Sequence, residues 1–117
     1  MSPRLWRHRI TDILQAIEKI QLYVKGLDFE AFRQESKTID AVIRNFIVIG
    51  EAAHNVPQEI TSRHPKIPWR LMSDMRNLAV HEYWGVELRT IWGTIQEDLP
   101  VLVPLLEEIL KEDEEPG

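Results

Sequence analysis

Apolar residues at Trp6, Ile10, Ile13, Ile17, Ile20 and Val24 are separated by alternating steps of four and three. That spacing lines them up along one stripe of an α-helix and scatters them over both faces of a strand. A chain that opens this way must find other amphipathic helices to cover the stripe. Ser2 before Pro3 predicts an N-cap with proline at the first helical position, and Gly26 predicts a left-handed stop. Asp28 can cap a short turn over residues 29–34. A second long helix is expected to open near Ser36, with Ile39, Val42, Ile43, Phe46, Ile47 and Gly50 on its inner face. Its apolar breadth between Ile39 and Ala53 predicts burial against several helices or against a second subunit, and Gly50, Ala52 and Ala53 would permit a close approach.

Pro57, Pro65 and Pro68 punctuate the middle, with a short helical turn over residues 58–63 between them. Pro68 can start a third long helix with Leu71, Met72, Met75, Leu78 and Ala79 on one face, and Gly85 should stop it. A last helix from about Glu87 would turn Leu88, Ile91, Trp92, Ile95 and Leu99 inward. Pro100 and Pro104 should kink or restart it before Leu110. Neither strand alternation nor an Asn-Gly or Asp-Gly hairpin signal occurs. The expected fold is all-α, an up-and-down bundle of four to five helices.

The 117 residues suit one domain, with 44% hydrophobic and 28% charged residues. With no cysteine, neither a disulfide framework nor a thiolate zinc site can be built, which fits a reducing cytoplasm, the expected location. The start reads as no signal peptide, and no apolar run is long enough to span a bilayer. The net charge of −5 is unevenly spread. Residues 107–117 hold six acids and Lys111; removing them from totals of 19 acidic and 14 basic residues leaves 13 of each. We therefore expect a neutral body over residues 1–106, a helical domain over residues 1–110 and an acidic, solvated tail over 111–117, part of a frayed acidic end beginning near Glu107. A neutral body cannot hold nucleic acid through bulk charge. Arg4, Arg7 and Arg9 are the one dense basic cluster.

Inside the third helix lies Arg76-Asn77-Leu78-Ala79-Val80-His81-Glu82-Tyr83. A core helix has no packing use for so many polar side chains. Arginine can clamp a phosphate through two parallel hydrogen bonds, and histidine can exchange a proton near neutrality. Together they suit chemistry on a phosphodiester. At ~100° per residue, Arg76 and His81 stand about 140° apart, whereas Arg76 and Tyr83 share a face. Either His81 lies at a helix end where side chains converge, or a symmetric partner supplies a second copy opposite the first. A purely architectural reading pairs Arg76 with an acidic neighbour, sets His81 on terminal carbonyls and packs Tyr83 in a groove.

Other polar patterns are weaker. Glu51-Ala52-Ala53-His54 is half of a carboxylate-bridged di-metal motif, but the second half is missing, so no metal is expected. Trp6 and Trp92 sit at inward positions; Trp84, beside the motif, is the tryptophan most suited to contact a ligand. There is no Walker loop and no nucleophile elbow.

Arg-x4-His late in a small all-α chain resembles the HEPN superfamily, and Arg76-Asn77-x-x-x-His81-x-Tyr83 resembles its HepT toxins. Ile49-Gly50-Glu51-Ala52, Ile67-Pro68-Trp69 and Asp98-Leu99-Pro100 resemble further motifs of that group, so that the likeness runs from about Arg7 to Leu110. The resemblance implies a metal-independent, cofactor-free endoribonuclease toxin of a toxin–antitoxin module. It implies a homodimer with facing motifs, Arg76 and His81 as catalytic residues with Asn77 in support, and an RNA substrate. It also implies a MntA-like nucleotidyltransferase antitoxin that silences the toxin by attaching AMP to Tyr83. A catalytically silent HEPN module that binds nucleotide or RNA, or scaffolds a nucleotidyltransferase, is the alternative.

Overall fold

The computed structural model describes residues 5–112. Four long helical stretches carry the fold: α1 (Leu5–Val24), α3 (Ser36–His54), α5 (Trp69–Tyr83), and a last rod made of α6 (Leu88–Gly93), a π-helical turn (Thr94–Asp98) and α7 (Leu99–Glu112). Two short helices, α2 (Phe29–Phe32) and α4 (Gln58–Arg63), fill the connections. The all-α bundle is as expected. The Ser2-Pro3 cap lies outside the described residues.

The stripe of α1 is buried throughout, from Trp6 to Val24. It packs against α3 on one side and α7 on the other, while α3 packs in turn against α5. Phe32, Phe46, Met72, Met75, Leu99 and Leu102 are fully buried between these layers. Each such side chain contributes about 1.5–3 kcal/mol by leaving water. Trp92 lies half-buried against Phe32 and Phe29, with ring centroids 4.9 and 6.3 Å away. The bundle is elongated, 49 × 25 × 21 Å.

Gly26 ends α1 with φ +81°, and Gly85 follows α5 with φ +78°, as their positions predicted. The inner face of α3 differs in detail. Val42, Asn45, Phe46, Ile49, Gly50, Ala52 and Ala53 are buried, while Ile39 and Ile43 are half-buried and Ile47 is exposed. Asn45 takes an interior position because its side-chain amide donates to the Ala41 carbonyl at 2.9 Å, which satisfies the group within its own helix. Ile47 stands about 100° beyond Phe46 and falls outside the stripe.

The two prolines of the last helix act differently. Pro100 has no N–H to offer the carbonyl four residues back and its ring would press on it. Just ahead of it the chain widens, the Leu99 N–H donating to the Thr94 carbonyl five residues earlier. Pro104 causes no break: α7 continues through it to Glu112. Held by Leu102, Leu106 and Ile109 in the core, α7 carries Glu107 and Glu108 as ordered, exposed helical residues rather than as part of a frayed end. Residues 113–117 of the expected tail lie outside the described residues. Among the described residues no helix is long and apolar enough to cross a membrane.

Candidate active site on α5

Helix α5 has a buried side and a more exposed one. Met72, Met75 and Ala79 are buried, and Leu71, Leu78 and Glu82 flank them half-buried. Taking Arg76 as zero on an ideal helix, those six occupy roughly −40° to −160°. Across the adjoining sector, from roughly −20° to +140°, come Tyr83, Arg76, Val80, Trp84, Asn77 and His81 in angular order. All six are exposed, Tyr83 and Trp84 by 77% and 75%. The candidate site residues are therefore exposed along one broad sector of the helix, where Trp69 and Ser73 are half-buried among them.

Arg76 sits where that open sector meets α3. A Cβ built on Gly50 would stand 2.7 Å from Arg76 Cβ and 2.8 Å from its backbone nitrogen, so only glycine lets α5 pass this close. One residue further along α3, Glu51 Oε1 lies 3.1 Å from Arg76 Nη1. Both side chains are about half exposed, at 57% and 45%. An ion pair so open to water contributes little, ~1 kcal/mol or less, and an incoming phosphate can displace it. Glu51 thus holds the guanidinium in place without locking it. The acidic neighbour that the architectural reading gives Arg76 exists, and it is the glutamate of the half di-metal motif. His54, the other half, is exposed at the end of α3.

His81 lies in the last turn of α5 and faces a different partner. The helix stays regular through Tyr83, so no break bends His81 back toward Arg76. The chain then closes as a Schellman motif: the Val86 N–H donates to the His81 carbonyl at 3.4 Å and the Gly85 N–H to the Glu82 carbonyl at 2.7 Å. Beyond it, Glu87 donates its N–H to Glu82 Oε1 at 2.8 Å and holds its own Oε1 3.7 Å from His81 Nδ1. Within one chain Arg76 is drawn to α3 and His81 to the loop after α5. The structure does not bring the two together.

Tyr83 and Trp84 meet edge to face with centroids 5.3 Å apart, leaving the Tyr83 ring in solvent instead of a groove. Asn77 is exposed beside Arg76. Arg7 is spent on architecture: its guanidinium lies over Trp6 and donates to the Leu110 carbonyl at 2.8 Å, tying α1 to the end of α7. Arg4 lies outside the described residues. Sequence reasoning missed Glu82 and Glu87, although an acid just past a predicted glycine stop, near a histidine, is a usable signal. No cluster of three or more candidate metal ligands occurs among the described residues.

A family model described as ribonuclease HepT-like matches residues 13–109, which include α3, α5 and the whole Arg76–Tyr83 segment. The chain belongs to the ribonuclease HepT-like family. Within that HEPN-superfamily group, it is 42% identical over 102 residues to a "Probable ribonuclease HepT" of Thermococcus cleftensis, covering 87% of this chain and 93% of the relative. It is 38% identical over 107 residues to a protein of Caldanaerobacter subterraneus subsp. tengcongensis named as a "Putative RNase", covering 92% and 96%. No solved structure gives a significant match. The enzyme class expected from the sequence, a ribonuclease, is the one this HepT-like family carries.

Proposed function

We propose that this HepT-like chain is a metal-independent endoribonuclease toxin whose catalytic residues are Arg76 and His81, supported by Asn77. The observation that carries the reading is the open sector of α5, where a cation, a proton-exchanging group and a tyrosine stand exposed on a rigid helix in a ribonuclease family. RNA supplies its own nucleophile. His81 takes the proton of a 2′-hydroxyl as that oxygen attacks the neighbouring phosphorus. The bond to the 5′-oxygen breaks, and the leaving oxygen takes a proton from water or from the imidazolium just formed. Arg76 stabilises the added negative charge of the phosphorane, most strongly in the transition state. A 2′,3′-cyclic phosphate and a 5′-hydroxyl end result, with no need for a bound metal or cofactor.

Because Arg76 and His81 are held apart within one chain, the working site is proposed to form between two copies with α5 facing α5. The exposed Val80, Tyr83 and Trp84 give that face apolar area to bury. The proposed partner is a MntA-like nucleotidyltransferase antitoxin that transfers AMP to the Tyr83 hydroxyl. Tyr83 shares its side of α5 with Arg76, so an attached AMP would set a phosphate beside the guanidinium and a nucleoside across the cleft.

The test is cleavage of RNA in EDTA by wild type, Arg76→Ala, His81→Ala and Tyr83→Phe, each confirmed unmodified by intact mass. Cleavage by wild type and Tyr83→Phe, with loss in the other two, supports the reading. Intact RNA with unmodified wild type sinks it in favour of a binding module.

A further inference from the structure

His81 is an exposed residue whose second ring nitrogen is nevertheless provided for. A neutral imidazole has one nitrogen that donates and one that accepts, and which is which is set by the partner of either one. In this chain Nδ1 faces Glu87 Oε1 at 3.7 Å. The Glu87 carboxylate is the less exposed member of the pair, 27% against 60% for His81. The Glu87 backbone is held by hydrogen bonds on both sides. The left-handed Gly85, the two Schellman hydrogen bonds and the Glu87 N–H bond to Glu82 Oε1 close the chain around the end of α5. Glu87 is also where α6 begins, its carbonyl accepting from the Ile91 N–H at 2.9 Å, so a second helix anchors it. Backbone bonds fix where Glu87 stands, and its side chain is left for the histidine.

We propose that Glu87 is the positioning residue of His81: its carboxylate draws the proton of the neutral imidazole to Nδ1, leaving Nε2 unprotonated and aimed outward to take the 2′-hydroxyl proton. When Nε2 accepts that proton, the carboxylate also lies beside the imidazolium that forms. At 3.7 Å the pair is beyond hydrogen-bond distance in this structure, and catalytic contacts often tighten only once substrate is bound. The proposal rests on His81 being the base. It adds the residue that selects which nitrogen does the work.

The test compares wild type, Glu87→Ala, Glu87→Gln and His81→Ala as full chains, unmodified at Tyr83 and with folding checked by circular dichroism. Ring nitrogen-15 spectra of labelled histidine give the tautomer, the His81 signal being the one absent from His81→Ala. Initial rates on a randomised single-stranded RNA oligonucleotide in EDTA separate kcat from KM. We expect the Nδ1–H form in wild type and a shift toward Nε2–H in Glu87→Ala. In that variant kcat should fall by about tenfold or more with KM little changed, short of the ~100-fold or greater loss on removing a general base. Glu87→Gln, which keeps an accepting oxygen but no charge, should fall between. An unchanged tautomer in folded Glu87→Ala overturns the proposal, as does an unchanged kcat, whatever the fate of His81→Ala. Full activity of His81→Ala overturns it differently, by removing the base that Glu87 would position. In that case the catalytic reading itself has failed, although the tautomer still reports the contact.

Discussion

Gly50 faces Arg76 across the contact of α3 with α5: the space a side chain would need on α3 is already filled by the Cβ and nitrogen of the arginine on α5. The residue proposed to stabilise the phosphorane is therefore set at a crossing of α3 and α5 that leaves no room for a side chain at Gly50. The same crossing brings Glu51 within 3.1 Å of the guanidinium. Structural precision and the placement of the cation depend on one missing methyl group.

Gly50→Ala should accordingly destabilise the chain. Helix propensity alone favours the change by about 0.8–1 kcal/mol. Forcing a methyl group into filled space costs about 1–3 kcal/mol, and with backbone on the other side there is no flexible tip to yield. We expect a lower midpoint in urea and weaker RNA cleavage, because α5 and Arg76 must move together. A variant as stable and as active as wild type would show that the crossing has room for a methyl group.

Glu51→Gln should do the opposite at the site. Losing a half-exposed ion pair should cost less than ~1 kcal/mol of stability. Without a carboxylate competing for the guanidinium, the apparent KM for RNA should fall. Arg76→Ala should keep nearly the same stability and lose kcat by about 100-fold or more, the range seen when one donor to a developing oxyanion is removed. Thermal melts and initial rates on the same preparations separate the two effects.

Tyr83→Phe removes only a solvent-facing hydroxyl, so stability should stay within about 0.5 kcal/mol of wild type. RNA cleavage should persist. Incubated with ATP and a cognate nucleotidyltransferase, wild type should gain the mass of AMP and lose activity, while the variant should do neither. Modification of Tyr83→Phe to the same extent would place the acceptor elsewhere.

Gly85→Ala tests the turn that carries Glu87. A side chain at φ +78° costs about 1–2 kcal/mol in the left-handed region. The strain falls on the Schellman bonds to the His81 and Glu82 carbonyls, so the histidine should lose its carboxylate neighbour along with the turn. Lower stability together with a lower kcat is expected. A loss of stability alone would separate the turn from the chemistry.

Much of this was written in the sequence. The stripe from Trp6 to Val24, the prolines at Pro57, Pro65 and Pro68, and the glycines at Gly26 and Gly85 act over a single turn or along one helix, where spacing translates directly into geometry. The exposed sector of α5 could be expected for the same reason, since polar residues among apolar ones mark the side a helix does not bury. Tertiary structure alone decided what those polar residues meet. Glu51 reaches Arg76 because two helices cross at Gly50, 26 positions before it in the chain, and no periodicity along one helix encodes a neighbour on another. Asn45 entered the core and Ile47 left it because α1 and α5 set which sector of α3 is covered. Within α5, the angular step left Arg76 and His81 both exposed but about 140° apart, and packing set them beside different carboxylates.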